Sequence, residues 1–280
     1  MDTGQAHDTR LPVRRSLTLI YALSVIIALL MAAASVAGLL VRATVYPTDE
    51  LVQAFVPNDV VTLLVGLPIL LGSMWLARRG RLVGLLLWPG ALFYVLYNYL
   101  VYVLAMPFSA VFLLQVVLLL LSAYTLIALM ASIDGKAIQQ RLAGSVSEKV
   151  AGGILAGLGV LFTLRAAAVM IGALASQAAM AETELALNVT DMTIGPALVI
   201  GGVSLWRRRE FGYMTGLGLL FQASMLFIGL IIILLVQPFL TGAPFALIDV
   251  LVVSIMGLIS FVPFALFVRG VASDRGSSPM

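Results

Sequence analysis

Eight stretches of roughly 20 mostly apolar residues follow one another along the chain, and they constrain its fold more than anything else in it. They run approximately 17–41, 59–76, 82–105, 108–131, 150–176, 191–206, 211–236 and 244–268. Each is long enough to cross the hydrocarbon of a bilayer, about 30 Å thick. Backbone N–H and C=O groups find no water there, so each crossing has to be helical. Composition agrees. Charged residues make up 10% of the chain, against about 25% in a soluble domain. So few charges cannot cover a water-exposed surface, which excludes an ordinary soluble enzyme and a disordered chain. Cysteine is absent, and the single histidine is His7 in the polar N-terminal tail. Disulfides, thiolate metal sites, bis-histidine haem, His-rich zinc sites and Ser-His triads are therefore excluded, and no cofactor is expected. The fold class is all-α integral membrane with eight transmembrane helices.

Basic residues set the orientation. With the N-terminus inside, Arg10, Arg14, Arg15, Arg78, Arg79, Arg81, Lys136, Arg141, Lys149, Arg207, Arg208, Arg209, Arg269 and Arg275 all fall on the inner side. Only Arg42 lies outside, and only Arg165 lies within a span. A wrong span count would scramble this partition, so it also supports two cytoplasmic termini. The net charge of +3 is explained by topology and by contact with anionic lipid heads, without nucleic acid. The first run is too long for the core of a cleavable signal peptide, and Gly38-Leu39-Leu40 is a poor cleavage site. No loop is long enough to fold as a separate catalytic domain.

The halves of the chain echo one another. Asp59, Pro68, Trp75, Arg78-Arg79, Gly84 and Phe93 are answered by Asp191, Pro196, Trp206, Arg207-Arg208-Arg209, Gly216 and Phe221. Glu50 precedes Asp59 as Glu182 precedes Asp191, and Pro107-Phe108 is answered by Pro244-Phe245. The offset drifts between 128 and 137. This predicts a tail at 1–16, a four-helix half at 17–131, a polar linker at 132–149, a second half at 150–268 and a tail at 269–280. An even number of spans per half makes it a parallel repeat. Trp and Arg also collect at every inner interface, so convergence is the competing explanation. The outer loops 43–58 and 177–190 then correspond, with Thr48 to Phe55 read as a short helix lying on the interface.

Ionisable groups in a span are expensive and are candidates for function. Asp59 and Asp191 stand at the outer starts of the second and sixth spans, where a carboxylate also caps free N–H groups. Asp249 follows Pro244 by five residues, as a snorkelling or a functional charge. Arg165 lies near the middle of the fifth span, about 25 Å from the nearest charges in sequence. It needs a carboxylate, carbonyls or water, and Asp191 and Asp249 are the acids on offer. It reads as half of a structural ion pair, as an anion-binding group or as half of a charge switch. Tyr94, Asn98 and Tyr102 share a helix stripe. Tyr102 suits an aromatic belt, whereas Tyr94 and Asn98 lie deeper, and Gln115 and Gln222 are further buried amides. These residues predict a polar cavity opening outward between the halves. Gly153 and Gly157 form a G-x-x-x-G that favours close helix crossing, within the chain or in a homo-oligomer.

No metalloprotease, nucleophile-elbow, P-loop or dinucleotide pattern occurs. Asn188-Val189-Thr190 matches a glycosylation sequon but abuts a span. The run Pro57-Asn58-Asp59-Val60 through Leu67-Pro68, then Leu76-Ala77-Arg78-Arg79-Gly80, then Tyr94-x-x-Tyr97-Asn98-Tyr99 resembles a group of prokaryotic multi-pass membrane proteins without an assigned activity. The resemblance covers the second to fourth spans and implies an inner-membrane location. The leading expectation is a protein that binds or transports a small or amphipathic molecule. Arg165 would hold its anionic group, Asp249 and Asp191 would balance or couple charge, Tyr94 and Asn98 would orient it, and Asp59 and Gln115 complete the ligand-binding or charge-coupling set. Its partners are membrane lipids and that ligand. A sensor or assembly subunit with a purely structural polar cluster is the second reading. An intramembrane enzyme comes third, because no nucleophile–base pair can be named.

Overall fold

A computed structural model describes residues 11–242 and 244–273. Eight helices in it are long and apolar enough to span a membrane, and no strand occurs among the described residues. The first is α1 (Thr18–Leu40), followed by the single turn α2 (Arg42–Val45). The second span is one continuous helix in three parts: α3 (Asp49–Val61), a π-helical turn (Thr62–Gly66) and α4 (Leu67–Arg78). Then come α5 (Leu82–Ala105), α6 (Ala110–Ser132), the short α7 (Gly135–Leu142), α8 (Glu148–Ser176), α9 (Glu182–Trp206), α10 (Glu210–Thr241) and α11 (Leu247–Ser273).

Two of these starts differ from the sequence reading. The second span begins at Asp49, where the Thr48 hydroxyl accepts the Leu51 N–H at 3.3 Å. Thr48 to Phe55 is thus the first turns of the spanning helix and not a separate interfacial one. Pro57 sits inside it. A proline there leaves the carbonyl four residues earlier without its donor, and Gln237 Nε2 of α10 reaches that Gln53 carbonyl at 3.5 Å. The sixth span likewise begins at Glu182, with Pro196 inside it. Asp59 and Asp191 therefore cap nothing: each lies within a helix, buried. The π-turn precedes Pro68. Widening the helix there relieves the clash of the proline ring with the preceding turn, and the Leu67 N–H bonds Thr62 instead.

The basic turns lie at one end of the bundle. The α4–α5 turn and the α9–α10 turn have the same hydrogen bonds. Arg79, Gly80 and Arg81 N–H donate to Trp75, Ala77 and Leu76 carbonyls; Arg207, Arg208 and Arg209 donate to Val203, Leu205 and Ser204. Each member of the second set lies 128 residues after its counterpart. Gly80 and Arg208, equivalent by that count, both have positive φ. A Cβ on Gly84 would run into the Leu76–Ala77 backbone, and one on Gly212 into Ser204–Leu205. The same count pairs Gly90 with Gly218, and these two touch each other where α5 crosses α10. The geometry pairs Gly84 with Gly212, whereas the sequence matched it to Gly216, which instead packs on Leu205 and Phe267.

The core lies around α5 and α10. Leu85, Leu86, Trp88, Leu92, Val95, Tyr213, Leu217 and Leu220 are fully buried. The linker 132–149 is not a free strand of polar chain. Asp134 caps α7 through its Lys136 and Ala137 N–H groups, and Ile138 and Leu142 are buried. Arg14 pairs with Asp134 at 3.1 Å. That guanidinium and the backbone donors hold the Asp134 carboxyl below its usual range. Glu148 accepts the Tyr213 hydroxyl at 2.8 Å and faces Arg208 at 3.7 Å.

Candidate functional site

Two buried polar clusters lie in the half of the bundle away from the basic turns, both against α5. Each is built on an aspartate held by a tyrosine hydroxyl.

The first joins α8, α9 and α5. Arg165 Nη2 donates to Asp191 Oδ2 at 2.8 Å and to Asn188 Oδ1 at 3.4 Å. Tyr97 of α5 donates to the other oxygen, Asp191 Oδ1, at 2.8 Å. The carboxylate is 10% exposed and the guanidinium side chain 46%. The sequence reading set Asp191 at the outer start of the sixth span and Arg165 near the middle of the fifth, at different depths. The contact is direct, because α9 starts at Glu182. Arg165 lies 11 residues before the end of α8 and Asp191 nine after the start of α9, so both sit about 13–17 Å from that end. Small residues let the helices approach: Gly152 packs on Gly202 and Gly159 on Gly195.

Arg165 is exposed at the surface of the bundle and is not in the lining of the two cavities described below. Asp191 also lines a cavity of about 10 Å³, room for about one water. Gln222 lines it with Tyr97, fully buried, and neither of its amide atoms has a partner among the described residues. A larger crevice of about 480 Å³ lies elsewhere, toward the basic end between α1 and α4, with Tyr21, Trp75 and Arg78 in its walls.

The second cluster joins α3, α5 and the segment before α3. Asp59 is 2% exposed. Tyr46 donates to its Oδ2 at 2.6 Å and Tyr102 to its Oδ1 at 3.0 Å. Burial, and then the Asp59 carboxylate beside it, push the Tyr46 hydroxyl well above its ordinary value, so it stays a donor. Asn58 Nδ2 donates to Tyr102 at 3.1 Å and to Asn98 Oδ1 at 3.0 Å, and Asn98 Nδ2 donates to Thr62 at 3.3 Å. Gly38 of α1 closes the site, since a Cβ there would collide with the Asp59 carboxylate. Phe55 stacks on Tyr102 at 4.2 Å and lies 5.8 Å from Tyr46. Tyr102 is thus a buried ligand of Asp59 and not a belt residue.

Of the residues singled out from sequence, Arg165 meets Asp191, and Asp59 shares a network with Asn98. Tyr94 is buried near Gly66 and Gly229 and makes no hydrogen bond to either cluster. Gln115 is buried on α6, its Oε1 without a partner among the described residues. Asp249 does not approach Arg165. It is exposed in the first turn of α11, where a negative charge suits the helix dipole. Sequence reasoning missed Tyr46, Asn58, Thr62, Tyr97 and Asn188. Asn188 was discoverable, since it stands three residues before Asp191 on the same helix face. Asp59 and Asp191 stand at different distances from their basic turns. Counted back from the equivalent turns, Asp59 is 20 residues before Arg79 and Asp191 only 16 before Arg207. That difference is about one helical turn, and the π-turn lies in the longer stretch.

No protein family, curated protein or solved structure matches the chain.

Proposed function

We propose that the protein binds an amphipathic anion taken laterally from the membrane, and carries it by rearrangement of its two halves. One observation carries the reading. The Arg165 guanidinium lies at membrane depth, 46% exposed on the flank of α8, and one nitrogen, Nη2, makes both of its hydrogen bonds among the described residues. Nε and Nη1 have no hydrogen-bond partner among the described residues. Donors left open in hydrocarbon cost several kcal/mol each. A carboxylate or phosphate on a lipid-like molecule meets them in the fork geometry that arginine favours. Asp191 supplies the competing anion that releases the ligand again. In this reading the membrane is the inner membrane of a prokaryote. The basic end and both termini face the cytoplasm, as the positive-inside rule gives.

A second reading, an assembly subunit, is favoured by Gly157. It lies on the same helix, and a Cβ there would meet nothing within 4 Å, leaving room for another helix whose acceptor would complete Arg165. Equilibrium binding of dodecyl phosphate to the protein in phosphatidylcholine nanodiscs tests the first reading. Arg165→Met is expected to weaken it about tenfold or more. Equal affinity in both proteins, or a change of oligomeric state in the variant alone, would refute the carrier reading; the latter outcome would favour assembly.

A further inference from the structure

The second cluster has a chemistry that the ligand reading does not use. Asp59 is a carboxyl buried inside a membrane protein with only neutral partners. Its oxygens are met by two phenol hydroxyls, and the Ser35 hydroxyl of α1 faces it as well. Among the described residues no Lys or Arg pairs with it. The groups around it can be named element by element. On α1 they are Ser35 and Gly38, with no charge. The segment before α3 carries Tyr46, and Arg42, whose guanidinium reaches the Leu240 carbonyl at 3.4 Å. On α5 they are Tyr94, Tyr99 and Tyr102, all buried. From α10 comes Gln237, uncharged and bonded to Gln53. The acids at the start of its own helix are Asp49 and Glu50, and Glu50 is taken up by Thr183 of α9 at 2.6 and 2.9 Å. An uncompensated buried carboxylate costs several kcal/mol, so the site calls for a positive charge from outside. Its shape says which. Gly38, Phe55 and the tyrosine rings press on the carboxyl closely enough that even one added methyl on α1 would overlap it. A metal ion with its shell of oxygen ligands at about 2.3 Å or more does not fit such a space. A proton needs none.

We propose that Asp59 is a proton-binding site, loaded and unloaded through the hydroxyls of Tyr46 and Tyr102. On loading, the Tyr46 O–H bond breaks as its proton passes to Oδ2, and a new O–H bond forms on the Tyr46 oxygen with a proton given up by a hydronium ion at the far face, which is left as water. Tyr46, which donated to the carboxylate, turns its hydroxyl to accept from the acid. On unloading the Oδ2–H bond breaks, its proton passes to the Tyr46 oxygen, the other Tyr46 proton returns to water as hydronium, and both phenols donate again. A hydroxyl is both donor and acceptor, so the Asp59 oxygens keep a phenol partner in either state. The adjoining π-turn is a natural place for the helix to respond, since such turns recur at functional sites. This proposal stands apart from the anion reading: it involves neither Arg165 nor its flank.

The test is infrared spectroscopy of the full chain in nanodiscs, titrated with pH in sodium and in potassium salts. The wild-type spectrum is expected to contain the C=O stretch of a protonated carboxylic acid that Asp59→Asn removes. The band fades as pH rises and is the same in both salts. Tyr46→Phe removes one donor to the ionised form and is expected to move the fading about one pH unit or more toward alkali. That variant also decides the matter if D59N does not fold. A spectrum with no band lost in D59N, and none moved in Y46F, overturns the proposal. So does a band that responds to sodium at constant pH, which would make the site one for a metal ion.

Discussion

The Arg165–Asp191 pair can be weighed by a double-mutant cycle with Asp191→Asn and Arg165→Met. In a buried pair, removing one partner costs about 3–5 kcal/mol, most of it for the charge left behind. Here the acid is 10% exposed and the base 46%, so the stranded guanidinium of D191N can turn away and recover part of that cost. About 1–2 kcal/mol is then expected for D191N. R165M strands a carboxylate that is only 10% exposed and keeps one bond, from Tyr97, so about 3–4 kcal/mol is expected. The double variant leaves no unpaired charge. Its destabilisation should fall short of the sum of the two by about 1.5–3 kcal/mol. At about 2–4 °C per kcal/mol for a chain of this size class, thermal unfolding in detergent micelles separates these values. Strictly additive shifts would refute the pairing. So would a double variant that unfolds below the sum of the singles.

Three further outcomes follow from the geometry. Gly90→Ala should destabilise by about 1–3 kcal/mol and more than Gly218→Ala. The Cβ of the first would enter the backbone of Gly218, while that of the second stands 3.0 Å from its nearest atoms; equal midpoints in a thermal melt would contradict the crossing. Tyr102→Phe should cost about 1.5–3 kcal/mol through its bond to the Asp59 carboxyl, measurable in the same melt, and a neutral result would dissociate Tyr102 from Asp59. The Asp134 carboxyl is held low by Arg14, so its contribution is present above about pH 4 and is lost as pH falls through its lowered folded value. Asp134→Asn should flatten that acid limb of the stability curve, and an unchanged limb would show that the ion pair is not formed in solution.

Much of the architecture was legible because hydrocarbon thickness converts directly into sequence length. All eight spans, and the gathering of Arg78, Arg79, Arg81, Arg207, Arg208 and Arg209 into paired turns, were readable from the run lengths and the charges between them. The far ends were not. Asp49, Glu50, Gln53 and Asn58 look like a loop when taken one by one, and Pro57 looks like its boundary. In the structure their polar groups are used by neighbours: Glu50 by Thr183, the Gln53 carbonyl by Gln237, Asn58 by Tyr102. Tertiary partners rescued a helix that local propensity would end. The same error moved Asp191 to a helix start and hid its direct contact with Arg165. Tyr97 was passed over because it stands off the stripe of Tyr94, Asn98 and Tyr102. Only knowing that α5 has neighbours on two sides, α3 and α9, makes both faces polar for a reason.

The central claim is that Arg165 receives an anionic amphiphile from the membrane. Native mass spectrometry of the protein released gently from its membrane tests it without choosing a ligand beforehand. The wild type should retain bound mass from anionic amphiphiles, and Arg165→Met should lose it while keeping neutral lipid adducts. An adduct pattern indifferent to that substitution would contradict the account.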